Sequence, residues 1–242
     1  MKHADMPGAG TTDGPGRSVL EGAFALLEAL RRHGDDAAGV TELARACGVP
    51  KGTAHRLLDQ LVAVGAVERR DRRYRVGPQL YRLGLAWEPH PGLRTAARLP
   101  MHRLRSLTGA SVVLVVMRED QALTVSSVPG ALEAVVPVRD GVAFRLDTAA
   151  GEALRGPRRG GAVFDREDVM AGVCCAAVPV RAPDGRAIAA IAGVVRAGQR
   201  LEPLAAAVAE AGAALARGLA RGVSPVRAAA PPAVMFRPVE RA

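Results

Sequence analysis

The sequence predicts an α+β protein in two parts: an N-terminal winged helix-turn-helix, then an α+β domain built on one antiparallel sheet. Three observations carry that prediction. Residues 41–64 contain two stretches of helical periodicity separated by Gly48, Val49 and Pro50. An Arg-rich segment of roughly alternating pattern follows at once, from Ala66 to Val76. Beyond Pro89, Pro91 and Gly92 the chain changes to short runs rich in Val, Ile and Ala joined by turn signals.

Length and composition set the frame. With 242 residues, 49% of them hydrophobic, the chain can bury one or two ordinary cores. A net charge of +9 points towards polyanionic partners. The first residues, MKHADMPGAGTTDGPGR, carry no apolar leader segment, and no apolar run reaches the length of a membrane span. The expectation is a cytoplasmic protein without membrane contact. Three cysteines without metal-type spacing to the five histidines argue against a disulfide framework or a zinc site, so neither a metal nor a cofactor is expected.

Residues 1–16, rich in Gly, Pro, Thr and Asp, read as a disordered tail. The first domain is expected over 17–88. Ser18-Val-Leu-Glu21 has the spacing of a capping box, and Val19, Leu20, Phe24, Leu27 and Leu30 read as the apolar stripe of a first helix ending at Gly34. Asp35 to Gly39 would then be a connecting loop. Thr41 is the expected N-cap of a helix from Glu42 to Cys47, stopped by Gly48. Pro50 suits the first position of the next helix, Pro50 to Val64, on which Ala54, Leu57, Leu58 and Leu61 share one face. The opposite face carries Lys51, Thr53, His55, Arg56, Asp59 and Gln60, donors and acceptors suited to phosphates and base edges of a major groove.

The next segment, AVERRDRRYRV, reads as a hairpin turning near Asp71, with Ala66, Val67, Tyr74 and Val76 inward and an Arg-rich tip. Between Arg45 and Arg75 eight basic side chains face three acidic ones, a net of +5 out of the chain's +9. Helix, turn, amphipathic helix and basic wing agree in order, which makes double-stranded DNA the expected partner. The candidate contacts are Lys51, Thr53, His55, Arg56, Arg69, Arg70, Arg72 and Arg73. A solvated charged face on a protein-binding module is the plainer alternative.

Pro78 to Trp87 reads as a short helix, and a second domain is expected over 89–222. Leu93 to Thr108 has Leu93, Ala97, Met101, Leu104 and Leu107 at helical spacing, closed by Gly109. SVVLVVM and ALTVSSV read as paired strands, LEAVVPV as a third, and CCAAVPV and AIAAIAGVV as a further pair turning at Pro183-Asp184-Gly185. Glu202 to Ala220 is an Ala-rich closing helix, and 223–242, with four prolines, reads as a second disordered tail.

No catalytic constellation emerges: there is no phosphate-cradling glycine loop, no HExxH and no nucleophile elbow, so an enzyme is not expected. Adjacent Cys174 and Cys175 would point to opposite faces of a strand, and a thiol switch is a minor alternative.

The runs SVLEGAFALLEAL, TELARACGVPKGTAHRLLDQL and GAVERRDRRYRVGPQLYRLG resemble the DNA-binding domain of IclR-type bacterial transcription regulators. PVRDGVAFRLDTAAGEAL and GGAVFDREDVMAGVCCAAVPVRAPDGRAIAAIAGVV are similar to that family's pocket segments, so the resemblance covers roughly Arg17 to Arg221. It implies a GAF-like, effector-binding second domain, operator binding modulated by a small molecule, and a homodimer or dimer of dimers. It also implies an effector site of Ala149, Ala150, Asp165, Cys175, Ala192 and Val194, with the backbone N–H groups of Ala149 and Ala150 suited to a carboxylate. The chain departs from the family pattern in two places. Small hydroxyl side chains are common in the family where Ala192 and Val194 stand, and a longer helical insert is usual where only RGPRRG, Arg155 to Gly160, connects the blocks. A less polar pocket is the consequence. The alternatives are a regulator whose second domain serves assembly or thiol sensing, and an enzyme or binding module with a fused targeting domain.

Overall fold

The computed structural model describes residues 18–34, 36–132, 138–156 and 161–222. These fall into two compact units divided between Trp87 and Glu88.

The first unit is three helices and a three-stranded sheet. Helix α1, Val19–His33, starts on the predicted capping box: the Glu21 N–H donates to Ser18 Oγ at 3.1 Å and the Ser18 N–H to Glu21 Oε2 at 2.8 Å. Its packed face is Gly22, Leu26, Ala29 and Leu30, so of the predicted stripe only Leu30 lies fully on it. Val19, Leu20 and Phe24 are exposed and Leu27 is half-buried. The small residues decide the face, because a Cβ on Gly22 would stand 3.0 Å from Leu57 Cδ1. Strand β1, Ala38–Gly39, replaces the second half of the expected loop and pairs with the wing. Helix α2, Val40–Cys47, starts two residues ahead of the expected Glu42 and is capped without Thr41; the Gly39 N–H instead meets the Glu42 carboxylate at 3.4 Å. Gly48 closes it in the left-handed conformation, the Val49 N–H donating to the Ala44 carbonyl. Helix α3, Lys51–Ala63, takes Pro50 as its N-cap and buries Ala54, Leu57 and Leu58, with Leu61 half-buried.

Strands β2, Val67–Arg70, and β3, Arg73–Val76, pair antiparallel with Arg70 opposite Arg73. The two connecting residues, Asp71 and Arg72, both have positive φ, 50° and 81°. That is the primed hairpin turn, whose twist matches the strands. Tyr74 is fully buried, whereas Val76, expected inward, lies at the end of its strand and is exposed. Helix α4, Pro78–Ala86, buries none of its residues.

In the second unit helix α5, Leu93–Thr108, is followed by strands β4, Ser111–Arg118, and β5, Gln121–Val128. Leu93, Ala97, Met101 and Leu104 of α5 are buried, but Leu107 is 77% exposed. The predicted strand LEAVVPV falls mostly outside the described residues. The described neighbour of β5 is β6, Ala143–Arg145, three residues that give no periodic signal in sequence. Helix α6, Ala149–Arg155, strands β7, Val163–Arg166, β8, Val173–Arg181, and β9, Ala187–Arg196, and helix α7, Leu201–Ala220, complete the unit. The six strands form one antiparallel sheet in the order β6-β5-β4-β9-β8-β7. The α+β class with an antiparallel sheet is therefore as expected.

Both faces of this sheet are covered. Val112, Leu114, Ala176, Val178 and Ile191 pack with α5 and α7 on one side, while Val113, Val115, Ala177, Ala190 and Ala192 pack with α6 on the other. Central strands then need apolar residues at every position, which explains the continuous runs in β4, β8 and β9. Small residues set the spacing. A Cβ on Gly193 would come within 2.9 Å of Leu204, and one on Gly151 would lie 2.5 Å from the Leu146 Cα. The second clash is with backbone and cannot be relieved by a rotamer. Gly151→Ala should therefore destabilise the second unit by about 1–3 kcal/mol, the usual cost of forced overpacking, measured by urea unfolding. An unchanged midpoint would show that α6 is free to shift.

Candidate functional site

In the first unit α3 presents Lys51, His55, Arg56, Asp59 and Gln60 to solvent, with Thr53 half-exposed. Asp59 is the hinge of this face. It meets His55 Nδ1 at 3.0 Å and Arg69 of the wing at 4.0 Å, so it does not hold Arg56. Arg69 also lies over the Tyr74 ring, 5.6 Å from its centroid. The wing arginines thus divide into two groups. Arg69 is held against Tyr74 and Asp59, Arg73 donates from Nε to the Ala37 carbonyl at 2.6 Å, and Arg75 pairs with Glu68 across the hairpin. Arg70 and Arg72, together with Lys51 and Arg56, make no ion pair among the described residues and stay exposed. All eight predicted contacts lie on α3 or the wing, but two of them serve the wing's own geometry. Nothing in the sequence distinguished Arg73 from Arg72, because the carbonyl it binds is that of Ala37, just ahead of a strand too short to read.

In the second unit a cavity of about 150 Å³ lies between the sheet and α6. All six residues of the predicted effector site line it: Ala149 and Ala150 from α6, Asp165 from β7, Cys175 from β8, and Ala192 and Val194 from β9. The register explains their convergence, since Asp165 pairs with Cys175 and Cys175 with Val194. Residues that sequence reasoning missed complete the wall: Val113, Val138, Phe144, Thr148, Val169, Met170 and Val173. They come from five separate segments, and only the folded sheet brings them together. The wall is mostly apolar. Thr148 is occupied, its Oγ1 accepting the Gly151 N–H and donating to the Arg145 carbonyl. Among the described residues no Lys, Arg or His lines the cavity.

The paired cysteines separate as expected. Cys174 packs in the core shared with α5 and α7, and Cys175 faces the cavity. Burial in this apolar wall, with smaller contributions from the Asp165 charge and Cys174, pushes the Cys175 thiol up to about 12. Its partial exposure is to the cavity, so desolvation governs it. Among the described residues no group of three or more His, Cys, Asp or Glu side chains could hold a metal ion, and no helix is long and apolar enough to cross a membrane.

The order of α1, α2, α3 and the basic wing matches a known domain in sequence as well as in shape. Residues 19–71 match the family model described as the IclR helix-turn-helix domain. The chain is 36% identical over 111 residues to the glycerol operon regulatory protein of Streptomyces coelicolor, which is 45% of this chain and 43% of that one. It is 30% identical over 121 residues to the HTH-type transcriptional regulator BhcR of Paracoccus denitrificans, 49% of this chain and 43% of that one. The matched segments thus span under half the length of these curated relatives. Among solved structures, an IclR homolog complexed with 4-hydroxybenzoate from Microbacterium hydrocarbonoxydans aligns over 84% of this chain and all of that chain, with TM-score 0.73 and 23% identity. The Thermotoga maritima IclR aligns over 83% of this chain and 98% of that one, with TM-score 0.66 and 20% identity. The resemblance to IclR-type regulators holds in sequence over the helix-turn-helix and in fold over both units.

Because the Cys175 pKa lies above that of a free thiol, near 9.0, the folded state favours the protonated form. Its contribution to stability is complete below about pH 9 and is lost as pH rises from there towards 12. Alkylation with iodoacetamide at pH 8 should proceed at Cys175 on the order of a hundredfold slower than in the urea-unfolded chain, since only the thiolate reacts. Rates followed by mass spectrometry check this, and a native rate equal to the unfolded one would restore the thiol-sensor reading.

Proposed function

We propose that this protein is a transcription regulator that binds operator DNA as a homodimer and changes its binding when a small molecule occupies the cavity between the sheet and α6. The observation that carries the reading is the exposed polar face of α3 standing in one unit with Arg70 and Arg72, cations without protein partners among the described residues. α3 in a major groove with the wing on the adjacent backbone is the arrangement such a surface suits. The whole-protein activity of the glycerol operon regulator and BhcR supports it. So does the fold shared with an IclR homolog complexed with 4-hydroxybenzoate, a molecule of single-ring size.

Dimerisation rests on unpartnered apolar surface. Tyr81, Leu83 and Leu85 of α4 are 70%, 59% and 60% exposed, and Phe24 of α1 is 70% exposed. Large apolar side chains exposed to this extent call for a cover, and a second copy of the chain supplies one. One short helix reads only a few base pairs, so a symmetric pair reading an inverted repeat supplies the specificity a single one lacks. The assembly-only and thiol-sensing alternatives are disfavoured by the open cavity and by the suppressed Cys175 thiolate. A cytoplasmic setting follows from the DNA partner.

Fluorescence anisotropy against DNA upstream of the gene tests the proposal, and failure to bind any such fragment would overturn it. Arg56→Ala should cost about 1–3 kcal/mol on the operator and less on random DNA if the guanidinium reads a base edge. An equal loss on both would make Arg56 a phosphate contact. Arg70→Ala with Arg72→Ala should lower affinity on all sequences and make the log-affinity against log-salt slope shallower by about one to two units per protomer. An unchanged slope would remove the wing from the phosphate contacts. Footprinting should show two half-sites in inverted repeat, whereas a single unrepeated half-site bound by a monomer would refute the dimer.

A further inference from the structure

Helix α5, Leu93–Thr108, carries Arg94, Arg98, His102, Arg103 and Arg105 and no acidic residue. The other long helices mix their charges: α1 has Glu21 and Glu28 beside Arg31 and Arg32, α3 has Asp59 beside Lys51 and Arg56, and α7 has Glu202 and Glu210 beside Arg217. At about 100° per residue Arg94, Arg98, His102 and Arg105 fall within roughly 80° of arc, a stripe that borders the buried face of Leu93, Ala97, Met101 and Leu104. Two of the four are pinned to the sheet: Arg94 donates from Nε to the Val125 carbonyl and Arg105 from Nε to the Pro129 carbonyl, each at 3.2 Å. Arg98 and His102 are exposed and take no hydrogen bond or ion pair among the described residues, and no described carboxylate pairs with Arg105. Arg103 stands about 140° round from Arg98, where it lines a groove with Glu210 of α7. The stripe is locally unfavourable. Arg94 and Arg98, like charges four residues apart, repel along the helix, and Arg94 in the first turn opposes the positive end of the helix dipole.

We infer that the α5 stripe is a second, sequence-independent contact with DNA phosphates, carried by the second unit, so that the duplex read by α3 and the wing is also held through Arg98, His102 and Arg105. This rests on the DNA-binding reading above and extends its surface. The spacing suits a phosphate backbone. From Arg98 to Arg105 the helix rises about 10 Å, a length over which one DNA strand presents roughly three charges. Thr95 and Ser106, exposed beside the stripe, add hydroxyl donors of the kind that bind phosphate oxygens. The pinning of Arg105 orders its charge before any partner arrives, so less side-chain freedom is lost on contact. Tethering supplies the rest. The second unit follows α4 after only the few residues that separate it from α5, and a duplex bound by the first unit is thereby present at high effective concentration. A patch too weak to hold DNA alone then contributes to the whole.

The test measures, by fluorescence anisotropy, the salt dependence with which the full chain binds a duplex carrying the operator and its flanks, for the unaltered protein, Arg98→Ala, Arg98→Lys and Arg103→Ala. Arg98→Ala and Arg103→Ala remove the same charge from the same helix, so only position separates them; unchanged circular dichroism spectra and thermal midpoints verify the fold. Arg98→Ala should make the log-affinity against log-salt slope shallower by about 0.9 per protomer, one phosphate contact, and lower affinity alike on operator and random DNA. Arg98→Lys should keep the slope, and Arg103→Ala should leave it unchanged. Equal slopes for the unaltered protein and Arg98→Ala would overturn the inference. So would equal losses in Arg98→Ala and Arg103→Ala, which would show the effect of net charge alone. An unchanged slope together with slower sedimentation of Arg98→Ala would give the stripe to a contact between copies and overturn it as well. The regulatory reading is judged separately: DNA binding with equal slopes leaves it standing while this inference falls, whereas no DNA binding by the unaltered chain removes both.

Discussion

The double-sided burial of the β8–β9 pair is the constraint on which the second unit depends. These strands support α5 and α7 on one face and α6 with the cavity on the other, so each residue is committed to one layer by its parity along the strand. Shifting the register by one residue would exchange the two layers entirely. Gly193 brings α7 down onto the sheet, and Ala192 next to it leaves room on the opposite face for a ligand-sized space. Core packing and cavity formation are thus two sides of the same choice of small residues. The cavity-facing Cys175 and the core-facing Cys174 illustrate this parity at adjacent positions with opposite environments.

In the first unit the corresponding constraint is polar. Asp59 ties His55 on α3 to Arg69 on the wing, while Arg69 covers Tyr74, the aromatic residue at the base of the hairpin. These exposed pairs are individually weak, within about 1 kcal/mol. Their importance is geometric: they fix where the wing stands relative to the face of α3, and they leave Arg56, Arg70 and Arg72 uncommitted.

Much of this architecture was legible because local rules agreed. The capping box at Ser18, the Gly48 stop, the Ala54, Leu57 and Leu58 stripe and the basic hairpin each follow from spacing alone, as do the long apolar strands. What could not be read depended on tertiary contact. Val19, Leu20 and Phe24 are as apolar as Leu26 and Leu30, and only the approach of α3 at Gly22 determines which set is covered. Strands β1 and β6 are too short for periodicity and exist because a partner strand lies beside them. The six cavity positions came from resemblance; residue pattern alone would have left Ala192 and Val194 as ordinary core. Phe144, Met170 and Val173 carried no signal, because residues from separate segments converge only once the register is set.

The turn of the wing has an implication of its own. Asp71 and Arg72 adopt left-handed backbone, φ 50° and 81°, at positions where Asn-Gly or Asp-Gly would sit without strain. A long side chain at the second position costs about 1 kcal/mol or more relative to glycine. Arg72 makes no ion pair or hydrogen bond among the described residues that offsets this cost within the fold. The hairpin tip is therefore less stable than its length and pairing would permit. Its strain holds a cation at the outermost point of the wing, where only another molecule can reward it.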